Sequence, residues 1–135
     1  MQITRQADYA ARTILYLATA KEGKRIATGQ IARAQQIPLS FLPKIISQLS
    51  VAGLLNTARG ARGGITLARE AEQITLLDVI EAIDGPIQLN ICAEDKGDCA
   101  FEGNCALQTV WCDTQKELVT KLKSTNFEQL SASST

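Results

Sequence analysis

Four cysteines, with no histidine anywhere in 135 residues, are the side chains of this sequence best suited to inorganic chemistry. Three of them share one short stretch, Cys92-x6-Cys99-x5-Cys105, set among Asp, Glu, Gly and Asn, and Cys112 follows. That composition reads as a loop. The spacing lacks the Cys-x-x-Cys knuckles typical of structural zinc, and there is no imidazole for a mixed site. Three thiolates on a loop suit iron–sulphur ligation better. Two other readings stay open here: unligated or redox-sensing thiols, and a zinc site that uses Cys112. If Cys105 and Cys112 occupy one helix, they stand about 10 Å apart at a rise of ~1.5 Å per residue, so a compact cluster does not easily bridge both. Cys112 therefore reads as a structural thiol. Gln108, one turn after Cys105, has the right placement but is a poor iron ligand.

Structural disulfides are not expected. Asp8 and Arg12 interrupt the N-terminal apolar residues where a signal peptide needs an unbroken run, and no stretch reaches the ~18–20 apolar residues of a membrane span. The expected location is the cytoplasm, where thiols stay reduced. No nucleophile–base constellation stands out, so an enzyme is not expected.

Charge separates along the chain. Residues 1–69 carry ten Lys/Arg against Asp8 and Glu22 alone, a balance of +8, and residues 70–135 carry the opposite balance, −8. A basic half supplies a phosphate-facing surface and an acidic half is repelled from a duplex.

The elements of the basic half follow from periodicity. Ala7, Ala10, Ala11, Ile14, Leu15, Leu17 and Ala18 predict a buried helix over about 6–21, closed by Gly23. Thr28 is the expected N-cap of a short helix running to Gln35, and Ile37-Pro38 breaks it. Ser40 is the expected cap of a third helix to about Ala52, with Pro43 in its first turn and Phe41, Leu42, Ile45, Ile46 and Leu49 at core spacing. This is a helix-turn-helix whose second helix would expose Ser40, Lys44, Ser47 and Gln48. Two short strands, Leu54–Thr57 and Gly64–Leu67, flank Arg59-Gly60-Ala61-Arg62-Gly63-Gly64 and predict a β-hairpin wing, whose arginines could enter a narrow minor groove or grip phosphates. The expected DNA contacts are Thr28, Ser40, Lys44, Ser47, Arg59, Gly60 and Arg62.

Beyond the wing, Ile74–Ile83 describes an amphipathic helix capped by Thr75 and ended by Gly85-Pro86. A long helix is expected from about Cys105, with Leu107, Val110, Trp111, Leu118 and Leu122 on one stripe. A second copy of the chain would cover that stripe, and a two-fold dimer suits palindromic DNA. The fold class is thus mainly α with a small β-hairpin. Residues 1–69 would form the winged helix-turn-helix domain, 70–125 the cluster-binding loop and dimerisation helices, and 126–135 a disordered tail.

Taken together, these residues resemble the IscR/NsrR/RirA group of winged-helix regulators over nearly the whole chain. The matching residues are Ile3-Thr4, Asp8-Tyr9-Ala10, Ile37-Pro38-Leu39-Ser40-Phe41-Leu42, the wing 59–64, the helix 77–85, and the three spaced cysteines followed by Trp111. The resemblance implies a homodimer with crossing long helices, recognition helices on palindromic promoter DNA, and Arg59 in the minor groove. It also implies an iron–sulphur cluster whose loss or modification changes DNA affinity or operator choice. Regulators of IscR type complete a [2Fe–2S] cluster with a histidine where this chain has Gln108. Regulators of NsrR type, which sense nitric oxide, are similar to this chain at Asp8, where an aspartate from the other subunit ligates a [4Fe–4S] cluster. The implied ligands are then Cys92, Cys99, Cys105 and Asp8, and [4Fe–4S] is favoured over [2Fe–2S]. The residue-level alternative for Asp8 is an acid complementing a helix dipole. Nitric oxide, redox state or iron and cluster status is the implied signal. A zinc- or thiol-based regulator, or an interaction module of the same fold, is the alternative.

Overall fold

Thr4 starts the first helix, α1 (Arg5–Thr19), by accepting the Ala7 N–H on its hydroxyl at 3.1 Å. The computed structural model describes residues 2–20, 23–89 and 104–133. After α1 come α2 (Thr28–Gln35), α3 (Leu42–Val51), β1 (Leu55–Ala58), β2 (Gly64–Leu67), a 3₁₀ turn (Ala71–Gln73), α4 (Leu76–Asp84), α5 (Ala106–Lys123) and α6 (Phe127–Ser133). The strands pair antiparallel, with Leu55 opposite Leu67 and Ala58 opposite Gly64. The expected mainly helical chain with one small hairpin is what is observed.

Alternation at helical spacing places Ala10, Ile14 and Leu17 of α1, Ile31 of α2, and Leu42, Ile45 and Leu49 of α3 in one core, closed from below by Leu55 and Ile65 of the hairpin. Ile74, Val79 and Phe127 belong to the same cluster. The boundary expected after residue 69 is therefore no break in packing: α4 and α6 complete the core of the winged helix. A second cluster joins Leu77, Ile80 and Ile87 to Leu118, Val119 and Leu122 of α5.

Local chemistry explains α4 as expected. Thr75 and Asp78 cap each other's backbone N–H groups at 3.1 and 3.0 Å, and Gly85, at φ 79°, ends the helix where an L side chain would be strained. Two expected caps are different. Helix α2 begins one residue early, with Ala27 as cap and Thr28 inside its first turn, because the Ala27 carbonyl already accepts Gln30 and Ile31 N–H. Helix α3 begins after Phe41, whose N–H closes a turn onto the Pro38 carbonyl at 3.0 Å, so Ser40 lies in that turn and caps nothing. Phe41 is not in the core either. It is exposed, with its ring 6.3 Å from that of Tyr9.

The expected disordered tail is also corrected. Residues 127–133 form α6, whose start is a reciprocal cap: Asn126 and Gln129 exchange side-chain to backbone bonds at 2.9 and 3.2 Å. Phe127 is 1% exposed, and its N–H reaches the Ile74 carbonyl at 3.1 Å. Phe127→Ala should cost about 3–5 kcal/mol through lost burial and the cavity left behind. Urea unfolding at fixed protein concentration measures it, and a loss below about 1 kcal/mol would show that α6 contributes little to the core.

Candidate DNA-reading surface and cysteine site

Between α2 and α3 the chain turns at Gln36, the one non-glycine residue with positive φ (54°) among the described residues. Ile37 anchors the turn by burial, and its N–H returns to the Ala32 carbonyl at 3.0 Å. This holds α3 with Leu42, Ile45, Ile46 and Leu49 inward, which leaves Lys44 and Ser47 exposed on the opposite face. Ser40 is exposed just before that face, and Thr28 is half-buried at the start of α2. Gln48 departs from expectation: it is half-buried, and its side-chain oxygen has no hydrogen-bond partner. Neither α2 nor α3 has a side-chain cap. Their first-turn N–H groups are thus not spent on side chains, a common arrangement for helix ends that meet phosphate.

The wing turn is built on glycine. Gly60 has φ 100°, and its carbonyl accepts the Gly63 N–H at 2.9 Å. At Gly63 a Cβ would overlap the Ala58 carbonyl oxygen and stand 2.8 Å from the Arg59 carbonyl carbon. Arg59, Gly60 and Arg62 are all exposed. The single ion pair among the described residues lies elsewhere, between Asp8 and Arg12, so neither Arg59 nor Arg62 is paired with a carboxylate of the described residues.

Cys105 is the N-cap residue of α5, half-buried, and its side chain makes no capping bond. Cys112, also half-buried, is two turns further along the same helix. Gln115 is a buried polar residue that sequence reasoning missed: its Oε1 accepts the Leu89 N–H at 3.0 Å and so ties the segment after α4 to α5. Cys92 and Cys99 lie outside the described residues. Asp8 is exposed on α1, where its Oδ2 accepts the Arg12 Nε–H at 2.9 Å. Both side chains are about half exposed (53% and 52%), and such a pair is worth only a few tenths of a kcal/mol, so the carboxylate exchanges partners cheaply.

The stripe expected along α5 divides. Leu118 and Leu122 are half-buried against α4, but Leu107, Val110 and Trp111 remain 59%, 53% and 36% exposed. Nine-residue α4 is half as long as eighteen-residue α5, so it covers only part of that helix. Across the junction of α1 and α4, Thr4 donates its hydroxyl to Asp84 Oδ1 at 2.6 Å. No described helix is long and apolar enough to cross a membrane.

Known proteins are similar to this chain in sequence and in fold. Residues 3–133 match the family described as Rrf2, iron-dependent transcriptional regulator. The Mycobacterium tuberculosis protein Rv1287, named provisionally as an HTH-type transcriptional regulator, is 38% identical over 112 residues, covering 82% of this chain and 69% of its own. The HTH-type transcriptional regulator IscR of Xenorhabdus nematophila is 29% identical over 130 residues, 96% of this chain and 79% of that one. Among solved structures, CymR, the global cysteine regulator of B. subtilis, superposes with a TM-score of 0.83 at 26% identity, covering 98% of this chain and 97% of its own. IscR of T. potens gives 0.78 at 23% identity over 98% and 88%, which speaks for the fold. With a match over nearly every residue and a winged helix behind it, this chain belongs to the Rrf2 family of DNA-binding transcriptional regulators, not to an enzyme family.

Proposed function

We propose that two copies of this chain form a regulator that reads palindromic promoter DNA and whose affinity responds to an iron–sulphur cluster. In this reading Lys44 and Ser47 of α3, with Ser40, face the major groove. Thr28 and the uncapped start of α2 meet phosphate, and the Arg59-Gly60-Ala61-Arg62 turn enters the minor groove. Cys92, Cys99 and Cys105 hold the cluster, with Asp8 of the other subunit as the fourth ligand, and [4Fe–4S] is the favoured type. Such a group supplies an iron centre open to nitric oxide, oxygen or iron scarcity.

The observation that carries this reading is the first turns of α5. There Cys105, whose side chain makes no capping bond, adjoins the exposed Leu107, Val110 and Trp111, so a thiol able to act as a ligand and an apolar surface able to meet a second copy lie side by side. Of the four proposed donors only Cys105 and Asp8 lie among the described residues, and the soft thiolate of Cys105 at a helix N-terminus suits an anionic iron–sulphur centre. Coupling to DNA has a structural route, since Asp8 and Thr4 start the helix that packs under α3, and Thr4 also holds Asp84. A second reading, a thiol-based regulator of the same fold, is favoured by Cys112, a half-buried thiol on the same helix.

Anaerobic purification decides between them. Iron and acid-labile sulphide should both be present, and removing them should change affinity for a duplex selected from a random pool, with affinity falling steeply as salt rises. A colourless protein without sulphide, binding that duplex equally well before and after chelation, would overturn the cluster reading in favour of the thiol one.

A further inference from the structure

Arg25 lies outside every helix and strand, in the exposed connection that leads into α2, and neither ligation nor base reading uses it. Its surroundings are nonetheless fixed to the wing. The next residue, Ile26, exchanges two backbone hydrogen bonds with Ile65 of β2, at 3.1 and 2.8 Å, and acts as a one-residue third strand. Gly64 lies flush against this connection: a Cβ there would stand 3.0 Å from Arg25 Cβ and 3.0 Å from the Ile26 nitrogen. From that stem the Arg25 guanidinium donates Nη1–H to the Arg62 carbonyl oxygen at 3.2 Å.

This bond reaches the turn from outside the hairpin. A hairpin of two four-residue strands is marginal alone, and its turn would otherwise be ordered at the moment of binding, at a cost in affinity. We propose that Arg25 is a positioning residue for DNA reading. By holding the Arg62 backbone it sets the angle from which Arg59 reaches the minor groove, without itself touching the duplex. This rests on the reading of the wing as a DNA contact.

The test uses the full chain, prepared anaerobically, and two probes. One is a duplex selected by the wild-type protein from a random pool. The other is the same duplex with G·C pairs replacing the A·T pairs whose recognition is lost in Arg59→Ala. Arg25→Met keeps an aliphatic stem beside Gly64 and removes both the donor and the charge. Affinity for the first probe should fall about fivefold, the preference over the second should narrow, and the slope of log affinity on log salt should not change, because loss of ordering removes no phosphate contact. In an Arg59→Ala background, Arg25→Met should add less than about twofold, since both act through one contact. Equal losses on both probes with a slope smaller by about 0.9 would make Arg25 a direct phosphate contact and overturn the proposal. Fully additive losses, or none, would also overturn it. If Arg59→Ala itself bound and discriminated like the wild type, the wing reading would fall first and take this proposal with it.

Discussion

With Cys105 as a cluster ligand, as proposed, Cys105→Ala prepared without oxygen should lack visible absorbance, iron and sulphide while remaining folded. The residue is the N-cap of α5, but its side chain caps nothing, so Ala removes a sulphur without removing a helix-stabilising bond. Half-buried and outside both apolar clusters, it should cost no more than about 0.5 kcal/mol in stability, the range of ordinary surface substitutions. Two thiolates are too few to retain the cluster, and Cys112 is a poor replacement about 10 Å further along the helix axis. Cys112→Ala is thus the control expected to keep its colour. Iron and sulphide analysis with a visible spectrum reads the result, and a thermal melt reads the fold. Full iron and sulphide in Cys105→Ala would remove this residue from the ligand set. The variant should also bind the selected duplex like the wild-type protein treated with an iron chelator.

Most of the fold was legible because burial writes a period into sequence. Ile14, Leu17, Leu42, Ile45 and Leu49 recur at helical spacing and are all in the core. The wing was legible through glycine, since few turns concentrate three in six residues. The Thr75 cap of α4 was legible but those of α2 and α3 were not, because Thr28 and Ser40 have the right chemistry, yet their places are set by where Ile31 and Leu42 must be buried, and tertiary packing overrules a preference worth about 1 kcal/mol. Helix α6 was hidden by its Ser-rich end, although Asn126-x-x-Gln129 before Leu130 is a capping pattern and Phe127 supplies the buried anchor. Ties between distant residues have no periodic signature at all: Thr4 with Asp84, Leu89 with Gln115, and Arg25 with Arg62 became visible only in three dimensions. The cysteine spacing named a chemistry, but spacing alone does not bring Cys92 and Cys99 to Cys105.

Gly63→Ala should damage DNA reading at least as much as Arg59→Ala, although it removes no charge and no donor. A Cβ at this position overlaps the Ala58 carbonyl oxygen and crowds the carbonyl carbons of Ala58 and Arg59, at 2.9 and 2.8 Å. These are backbone atoms at the end of β1, across the turn from Gly63, so no rotamer change relieves the overlap and the turn must open. Opening it breaks the Gly63 to Gly60 bond and shifts the Arg62 carbonyl away from Arg25, which releases both wing arginines from their set directions. The base of the hairpin survives, because Leu55 and Ile65 stay buried in the core. Stability should therefore fall by only about 1–3 kcal/mol, the cost of local backbone strain. Affinity for the selected duplex should fall tenfold to a hundredfold, roughly the loss of one specific arginine contact. Gly60→Ala separates conformation from crowding, since φ 100° strains an L residue there but nothing lies within 4 Å of its Cβ. It should lose less affinity than Gly63→Ala. Fluorescence anisotropy on the same duplex reads both variants, and wild-type affinity in a folded Gly63→Ala protein would mean that the shape of this turn has no part in holding DNA.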